Sequence, residues 1–98
     1  MINLSKGART KQSILEVGLQ VWRERPDKVN AKYIASMVGV THGTVAYHYS
    51  NSDGLRDAIA AHAVAIQDAV VVPMLITTSH PAVAHLTVDE RQGYLSSV

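Results

Sequence analysis

Apolar residues recur at helical spacing in the first part of the chain. One stripe consists of Ile14, Leu15, Gly18, Leu19 and Trp22. It predicts a helix from about Ala8 or Thr10 to Arg25, because Pro26 cannot continue a helix. The glycine in this stripe costs about 1 kcal/mol relative to alanine in mid-helix, so we expect another helix to approach closely there. The tryptophan is in phase with the stripe, which favours a core role over stacking on bases.

The next two predicted helices are short and are joined by a turn. Asn30 is the N-cap of the first, and Gly39 ends it, because glycine adopts the left-handed conformation without steric cost. Thr41 caps the second, since its hydroxyl can accept a bond from an amide of the first turn. The inward face of the first helix is predicted to consist of Ile34, Met37 and Val38. Two short helices around a glycine turn are typical of a helix-turn-helix, which we place against the mid-helix glycine.

The second of these short helices has an unusual set of side chains. Val45 is its one strongly apolar interior residue. Its hydrogen-bonding residues are His42, Thr44, Tyr47 and His48. A surface helix with a purely structural role normally has glutamate and lysine at such positions. The pattern therefore predicts a face that recognises a binding partner.

A long helix is predicted next, from about Asp53 to Val72, where Pro73 ends or kinks it. Its apolar stripe is predicted to consist of Leu55, Ile59, Ala63 (or His62), Ile66 and Val70. Val64, Val71 and Val72 add a second apolar surface near its end, and exposed surface of this kind usually marks a protein interface.

The tail carries two further helix signals. Pro81 is a favoured first helical residue, so a short helix to Leu86 is expected, and Thr87 with Glu90 forms a capping box for a last helix through Leu95. The predicted fold is all-α, with residues 1–8 as a flexible basic arm and 9–52 as a three-helix unit. Residues 53–98 add the long helix and a compact dimerisation element. Its interface is predicted to contain Val64, Val71, Val72, Leu75 and Leu95.

An ordered set of small and apolar residues resembles a known family. It consists of Ile14-Leu15, Ile34-Ala35, Gly39-Val40-Thr41, Gly43-Thr44-Val45, His48-Tyr49 and Leu55. From roughly Arg9 to Ala63 the chain resembles the DNA-binding domain of TetR-type transcriptional repressors. The resemblance implies that His42, Gly43, Thr44, Tyr47, His48 and Lys32 face DNA, while Val40, Val45 and Tyr49 belong to the core. The chain departs from the family at Ala46, where tyrosine is common, and at Ser52, where lysine is common; both usually contact phosphate.

The chemistry of these side chains fits DNA. Histidine and threonine can bond base edges, a tyrosine can reach a phosphate or a sugar, and Gly43 lets the backbone come close. The predicted DNA-binding set is Lys32, Thr41, His42, Gly43, Thr44, Tyr47 and His48, with Lys6, Arg9 and Lys11 trailing along phosphates. Residues 1–50 have a net charge of +4 and residues 51–98 of −3, which puts positive potential on the helix-turn-helix half. Chance placement of solvated charges is the alternative interpretation.

Composition excludes several other classes of protein. The 98 residues contain no cysteine, which excludes disulfides and thiolate metal sites and favours a reducing cytoplasm. His42 and His48, or His80 and His85, lack the i, i+4 spacing of a helical metal site. No membrane span or signal peptide is expected, and no catalytic constellation is apparent. The roughly 35 residues after Ala63 are expected to be too few to enclose an inducer pocket of about 300 Å³ or more.

The sequence thus predicts a cytoplasmic, prokaryotic regulator of the kind that phages or plasmids encode. It is expected to need no cofactor and no inducer, to have no catalytic activity, and to bind a palindromic DNA operator as a homodimer, most plausibly as a repressor. The alternative is a helix-turn-helix module that binds another regulator or RNA polymerase instead of DNA.

Overall fold

A computed structural model describes residues 6–96 of the chain, and these residues form helices joined by short connections. The α-helices are α1 (Lys6–Glu24), α2 (Ala31–Val38), α3 (His42–Tyr49), α4 (Ser52–Ala65), α5 (Val71–Thr77) and α6 (Val88–Leu95). Two 3₁₀ segments lie at Pro26–Lys28 and Pro81–Val83. The all-α prediction is confirmed for this range. Because α1 begins at Lys6, residues 6–8 are helical and do not belong to a flexible arm; residues 1–5 lie outside the described range.

The core lies between α1 and the helices that follow it. Helix α1 packs against α2 and α4, while α3 packs against both α2 and α4. The large side chains of the core that are fully buried are Ile14, Ile34, Val45, Leu55, Ile59, Val71, Val72 and Leu75. Trp22 is 5% exposed, which confirms its predicted core role.

Gly18 lies on the face of α1 that packs against α4. A Cβ atom at Gly18 would lie 2.4 Å from Cδ1 of Ile59 and 3.5 Å from Cδ1 of Ile34. The predicted close approach is therefore confirmed, but the nearest helix is α4 and α2 is the second neighbour. The absence of a side chain here lets the buried Ile59 reach the surface of α1.

A second glycine, Gly54, sets the contact between the end of α3 and the start of α4. A Cβ atom at this position would lie 2.3 Å from the backbone oxygen of Tyr49. The amide of Gly54 also donates to the side chain of Asn51 at 2.8 Å, which caps α4. Replacing Gly54 with alanine must therefore displace backbone.

We expect Gly54→Ala to destabilise the fold by about 2 kcal/mol, because the backbone clash outweighs the gain in helix propensity. The matched control is Gly93→Ala in α6, where a new Cβ has nothing within 4 Å and should stabilise by up to about 1 kcal/mol. Urea unfolding followed by circular dichroism measures both. A Gly54→Ala variant as stable as the Gly93→Ala variant would contradict the predicted clash.

The prediction of one long helix is wrong, because residues 66–70 separate this part of the chain into α4 and α5. Gln67 adopts a left-handed conformation with φ of 57°, and the amide of Asp68 donates to the carbonyl of Ala63 at 2.9 Å. Pro73 does not end a helix either. It lies in the first turn of α5, where the amide that proline lacks would have no helical partner.

Asp68 is the physical reason for this break. Its carboxylate accepts the amides of Val70 at 3.0 Å and Val71 at 2.8 Å, which begin α5, and accepts the Nε–H of Arg23 in α1 at 2.8 Å. Burial alone would raise the pKa of Asp68, but the hydrogen bonds from Arg23, Val71 and Val70, with the guanidinium charge, outweigh it and lower the pKa. The contact with Asp68 raises the pKa of Arg23. One buried carboxylate thus starts α5 and ties it to α1.

The break changes which apolar residues are exposed. Val71, Val72 and Leu75 are buried within the chain at 0%, 0% and 1% exposure, so the prediction that they form an exposed dimer surface is wrong. The reason is that the turn folds α5 back onto α4 and α1. In contrast, Ile66 and Val70, which were predicted to be part of the inward stripe, are 50% and 47% exposed.

The two remaining residues of the predicted interface differ from these. Val64 is half-buried, and Leu95 is 47% exposed. Helix α6 carries Leu95 and packs against α5. Of the predicted interface, only Val64 and Leu95 therefore remain accessible to a partner.

The tail follows its predicted start and stop signals. Thr87 and Glu90 form the predicted capping box, with the amide of Glu90 donating to Thr87 at 3.1 Å and the amide of Thr87 donating to Glu90 at 2.9 Å. The hydrogen bonds from Thr87 lower the pKa of Glu90. The helix predicted at Pro81 is only a 3₁₀ turn, which His80 caps by accepting the amide of Ala82.

Within residues 6–96, no helix is both long and apolar enough to cross a membrane.

Candidate nucleic-acid interface

Helices α2 and α3 are joined by a short turn whose geometry follows from its residues. Gly39 adopts φ of 86° and ψ of 31°, the left-handed conformation that favours glycine, and its amide donates to the carbonyl of Ala35 at 2.9 Å. Asn30 caps α2 by accepting the amide of Tyr33 at 2.8 Å. Thr41 caps α3 by accepting the amide of Thr44 at 3.2 Å. The predicted caps and glycine turn are confirmed.

Helix α3 is held in the core by two of its residues. Val45 is fully buried, and Tyr49 is 8% exposed. The hydroxyl of Tyr49 donates to the backbone oxygen of Lys11 in α1 at 3.2 Å, and burial raises the pKa of this hydroxyl. Tyr49 therefore has the predicted core position and a partner for its hydroxyl, and it couples the end of α3 to the start of α1.

The opposite face of α3 is exposed and polar. Tyr47 is 86% exposed, and its ring meets the edge of the His48 ring at a centroid distance of 5.3 Å. His42 and Gly43 are exposed, while His48 is half-buried. This face of α3 thus presents a phenol, two imidazoles and a glycine backbone to solvent.

Thr44 differs from the other predicted site residues. It is half-buried, and its hydroxyl lies 3.0 Å from the hydroxyl of Thr41. The two hydroxyls therefore bond one another at the N-terminus of α3. Thr41 itself is exposed, so this bonded pair of threonines holds the start of α3 at the protein surface.

Helix α3 contains neither lysine nor arginine. The basic residues of the predicted site lie on α1 and α2 instead. Arg9, Lys11 and Lys32 are exposed. The Nζ atom of Lys11 lies 5.9 Å from the centroid of the Tyr49 ring, which places its charge beside the end of α3. Lys6 begins α1, but its side chain lies outside the described part of the structure.

Ser52 has a role that sequence analysis missed. Its hydroxyl accepts the amide of Ala31 at 3.0 Å, so the first residue of α4 satisfies the first amide of α2. A serine one residue after the N-cap Asn51 is a helix-start signal, but its bond to a distant helix depends on the packing. Ala46, the other departure from the family pattern, is half-buried.

Met37 is placed differently from the prediction. It is 57% exposed, whereas Ile34 and Ala35 are buried. The short helix α2 fills its contact with α1 through these two residues, and Met37 lies at the edge, where it lines a small cleft with Val17 and Tyr33. Val40 is half-buried against the core.

No cluster of three or more metal-ligating side chains occurs within residues 6–96. Family models, curated proteins and solved structures with which the chain was compared show no match. A functional hypothesis for this all-helical protein therefore rests on the chemistry of its own surface.

Proposed function

We propose that the chain is a sequence-specific, double-stranded DNA-binding regulator with a helix-turn-helix in which α3 is the recognition helix. The supporting observation is the division of α3 into two faces. Val45 and Tyr49 fix the helix in the core, while the 86% exposed Tyr47 and the neighbouring imidazoles face solvent. A short helix that is rigidly held and exposes hydrogen-bonding groups suits the major groove.

The proposed contacts follow from side-chain chemistry. His42 and His48 bond base edges, Tyr47 contacts a phosphate or packs on a sugar, and the exposed backbone at Gly43 allows close approach. Thr41 and Thr44 contact phosphate or base near the start of α3. Lys32, Arg9, Lys11 and Lys6 supply positive charge along the backbone, which determines how affinity depends on salt.

Selection from random duplex DNA tests this function directly. Purified protein is incubated with a random pool at two salt concentrations, and the bound fraction is sequenced. Enrichment of an inverted repeat, with affinity that falls as salt rises, is the expected result. A folded protein that enriches no sequence would rule out operator binding.

We expect Lys32→Gln to weaken binding to all DNA sequences alike and to reduce the slope of log affinity against log salt by about one, since a single phosphate contact is lost. Lys28→Gln is the matched control, because Lys28 is equally exposed but lies in the 3₁₀ segment before α2. Fluorescence anisotropy of a labelled operator at several salt concentrations measures both slopes. Equal slopes for the two variants would exclude Lys32 from the interface.

A homodimer remains part of the proposal, because a twofold pair of recognition helices about 34 Å apart matches an inverted repeat. Leu95 and the half-buried Val64 are the members of the predicted interface that still reach the surface. Sedimentation equilibrium measures the oligomeric state with and without DNA.

The rival function is a protein-interaction module that binds another regulator or RNA polymerase. Exposed Ile66 and Val70 at the corner between α4 and α5 favour it, because neighbouring apolar residues at a surface mark interfaces. Substituting both with serine should leave DNA affinity unchanged if α3 binds DNA. An effect on the regulated promoter without any DNA binding would support the rival function.

A further inference from the structure

An open groove of about 860 Å³ lies between α1, α4, α5 and α6. Its lining includes Trp22 of α1, Arg56 of α4 and Met74 of α5, but no residue of α2 or α3. The sequence led us to expect that the residues after Ala63 are too few to enclose an inducer pocket; this groove is open, and α1 and α4 form part of its walls. The volume falls in the range of small-molecule sites, about 300 to 1,000 Å³.

The walls of the groove are mainly apolar. Met74 and Leu95 contribute aliphatic surface, and Trp22 contributes an aromatic edge. The hydroxyl of Thr77 donates to the carbonyl of Pro73 at 2.9 Å, and that of Thr78 to the carbonyl of Met74 at 3.0 Å. Because these donors are already used on backbone, the threonines offer mainly their methyl groups to a ligand.

Arg56 is the lining residue with a permanent charge. Its Cζ atom lies 4.8 Å from the centroid of the Trp22 ring, and one terminal nitrogen donates to the carbonyl of Val29 at 3.0 Å. These contacts hold the guanidinium in place. Within residues 6–96 the recorded hydrogen bonds of this guanidinium use that one nitrogen, so further donors are available in a fixed orientation, which suits a carboxylate.

The neighbouring groups do not neutralise this charge. The groove is lined by no aspartate or glutamate of the described residues. His80 also lines it, with Nδ1 accepting the amide of Ala82 and Nε2 lying 3.5 Å from Oδ1 of Asp57. Asp57 contacts His80 but does not itself line the groove, and 75% of its side chain is exposed to solvent. A fixed cation in an apolar, acid-free groove is complementary to an apolar molecule with one negative charge.

We propose that this groove binds a small amphipathic carboxylate, with the apolar body between Trp22, Met74 and Leu95 and the carboxylate on Arg56. The site is separate from the proposed DNA-binding face. Phenylbutyrate is a suitable probe, with phenylbutanol and phenylbutylamine as its neutral and cationic counterparts. Trp22 is the only tryptophan of the chain, so its fluorescence reports occupancy, and calorimetry gives the stoichiometry.

We expect one phenylbutyrate per chain and an affinity at least about tenfold above those of the alcohol and the amine, as a charge-assisted bond provides. Arg56→Gln should remove the preference for the acid over the alcohol. Lys28→Gln, which removes the same charge at an exposed residue outside the groove lining, should keep it. Thr77 is an exposed residue that lines the groove. Thr77→Phe should fill the groove with a large side chain and block all three compounds, while Arg56 is left unchanged.

Several outcomes would overturn the proposal. Equal binding of the three compounds would indicate that the groove is only an apolar surface that does not recognise the carboxylate. If none of them binds saturably, the groove is not a binding site for small amphipathic molecules. Equal effects of Arg56→Gln and Lys28→Gln would mean that Arg56 acts only through the net charge of the protein and does not bind the carboxylate. Acid that binds only by dissociating a dimer would assign the groove to a second copy of the chain.

Discussion

Tyr47→Ala should lower affinity for the selected operator by about tenfold or more while leaving the fold intact, since a hydrogen bond to a charged group such as a phosphate is worth about 1.5–3 kcal/mol. The side chain is 86% exposed, so its removal costs the folded chain little. His48→Ala should act in the same direction. Fluorescence anisotropy with the operator and urea unfolding of the free protein together separate loss of contact from loss of structure.

The matched control for Tyr47→Ala is Gln92→Ala, which also truncates an exposed helical residue but lies on α6. It should leave operator affinity unchanged. If Tyr47→Ala and His48→Ala both bind the operator as tightly as the control, α3 is not the recognition helix. If Tyr47→Ala also lowers the unfolding midpoint, the loss of affinity reflects folding.

Asp68→Ala should destabilise the protein by about 3 kcal/mol, because the partners of this buried carboxylate lose their shared acceptor. The amides of Val70 and Val71 and the guanidinium of Arg23 lose their acceptor together. Asp68→Asn keeps one oxygen for the two amides and should cost about half as much, since it loses the charge and the second oxygen, which accepts from Arg23. Urea unfolding at neutral pH measures both variants, with Asp27→Ala, an exposed aspartate, as the control.

The contribution of Asp68 should also depend on pH with a definite sign. Its pKa is lower in the folded chain than the ordinary value of 3.8, so the unfolded chain binds the proton more readily. The stabilisation is therefore complete above this value and is lost as the pH falls through the lower, folded pKa. The difference between wild type and Asp68→Ala should shrink below about pH 4. A difference that is constant from pH 7 to strong acid would contradict this role.

Local signals in the sequence predicted the parts of the fold that depend on neighbouring residues. The caps Asn30, Thr41 and Thr87 and the left-handed Gly39 lie where predicted, because each satisfies amides or a backbone angle within a few residues. The periodicity of α1 likewise predicted its buried face, including Trp22.

The break between α4 and α5 was not predictable from such signals. The apolar period continues through Ile66 and Val70, which favours an unbroken helix. Asp68 accepts the nearby amides of Val70 and Val71, but its contact with Arg23 joins residues 45 positions apart and has no local signal. Helix packing therefore decides that Ile66 is exposed and Val71 is buried.

The candidate DNA-binding face was predicted in part. The sequence indicated α3 as a binding face because this helix lacks the usual glutamate and lysine. A helix of only eight residues is too short for its apolar pattern to distinguish the 86% exposed Tyr47 from the half-buried Thr44. The bond from Ala31 to Ser52 and the position of Arg56 over Trp22 depend on helices meeting in space. No spacing along the chain encodes those contacts.

By itself the sequence determined the helices that begin and end at local caps, the glycine turn before α3 and the polar character of that helix. These features depend on hydrogen bonds and backbone angles that span only a few residues. The tertiary structure alone decided where the chain folds back at Asp68, which valines are buried, and that Trp22, Arg56 and Met74 line one groove. Those outcomes depend on contacts between residues far apart in the chain, where a buried charge or an apolar surface finds its partner only after the helices have packed.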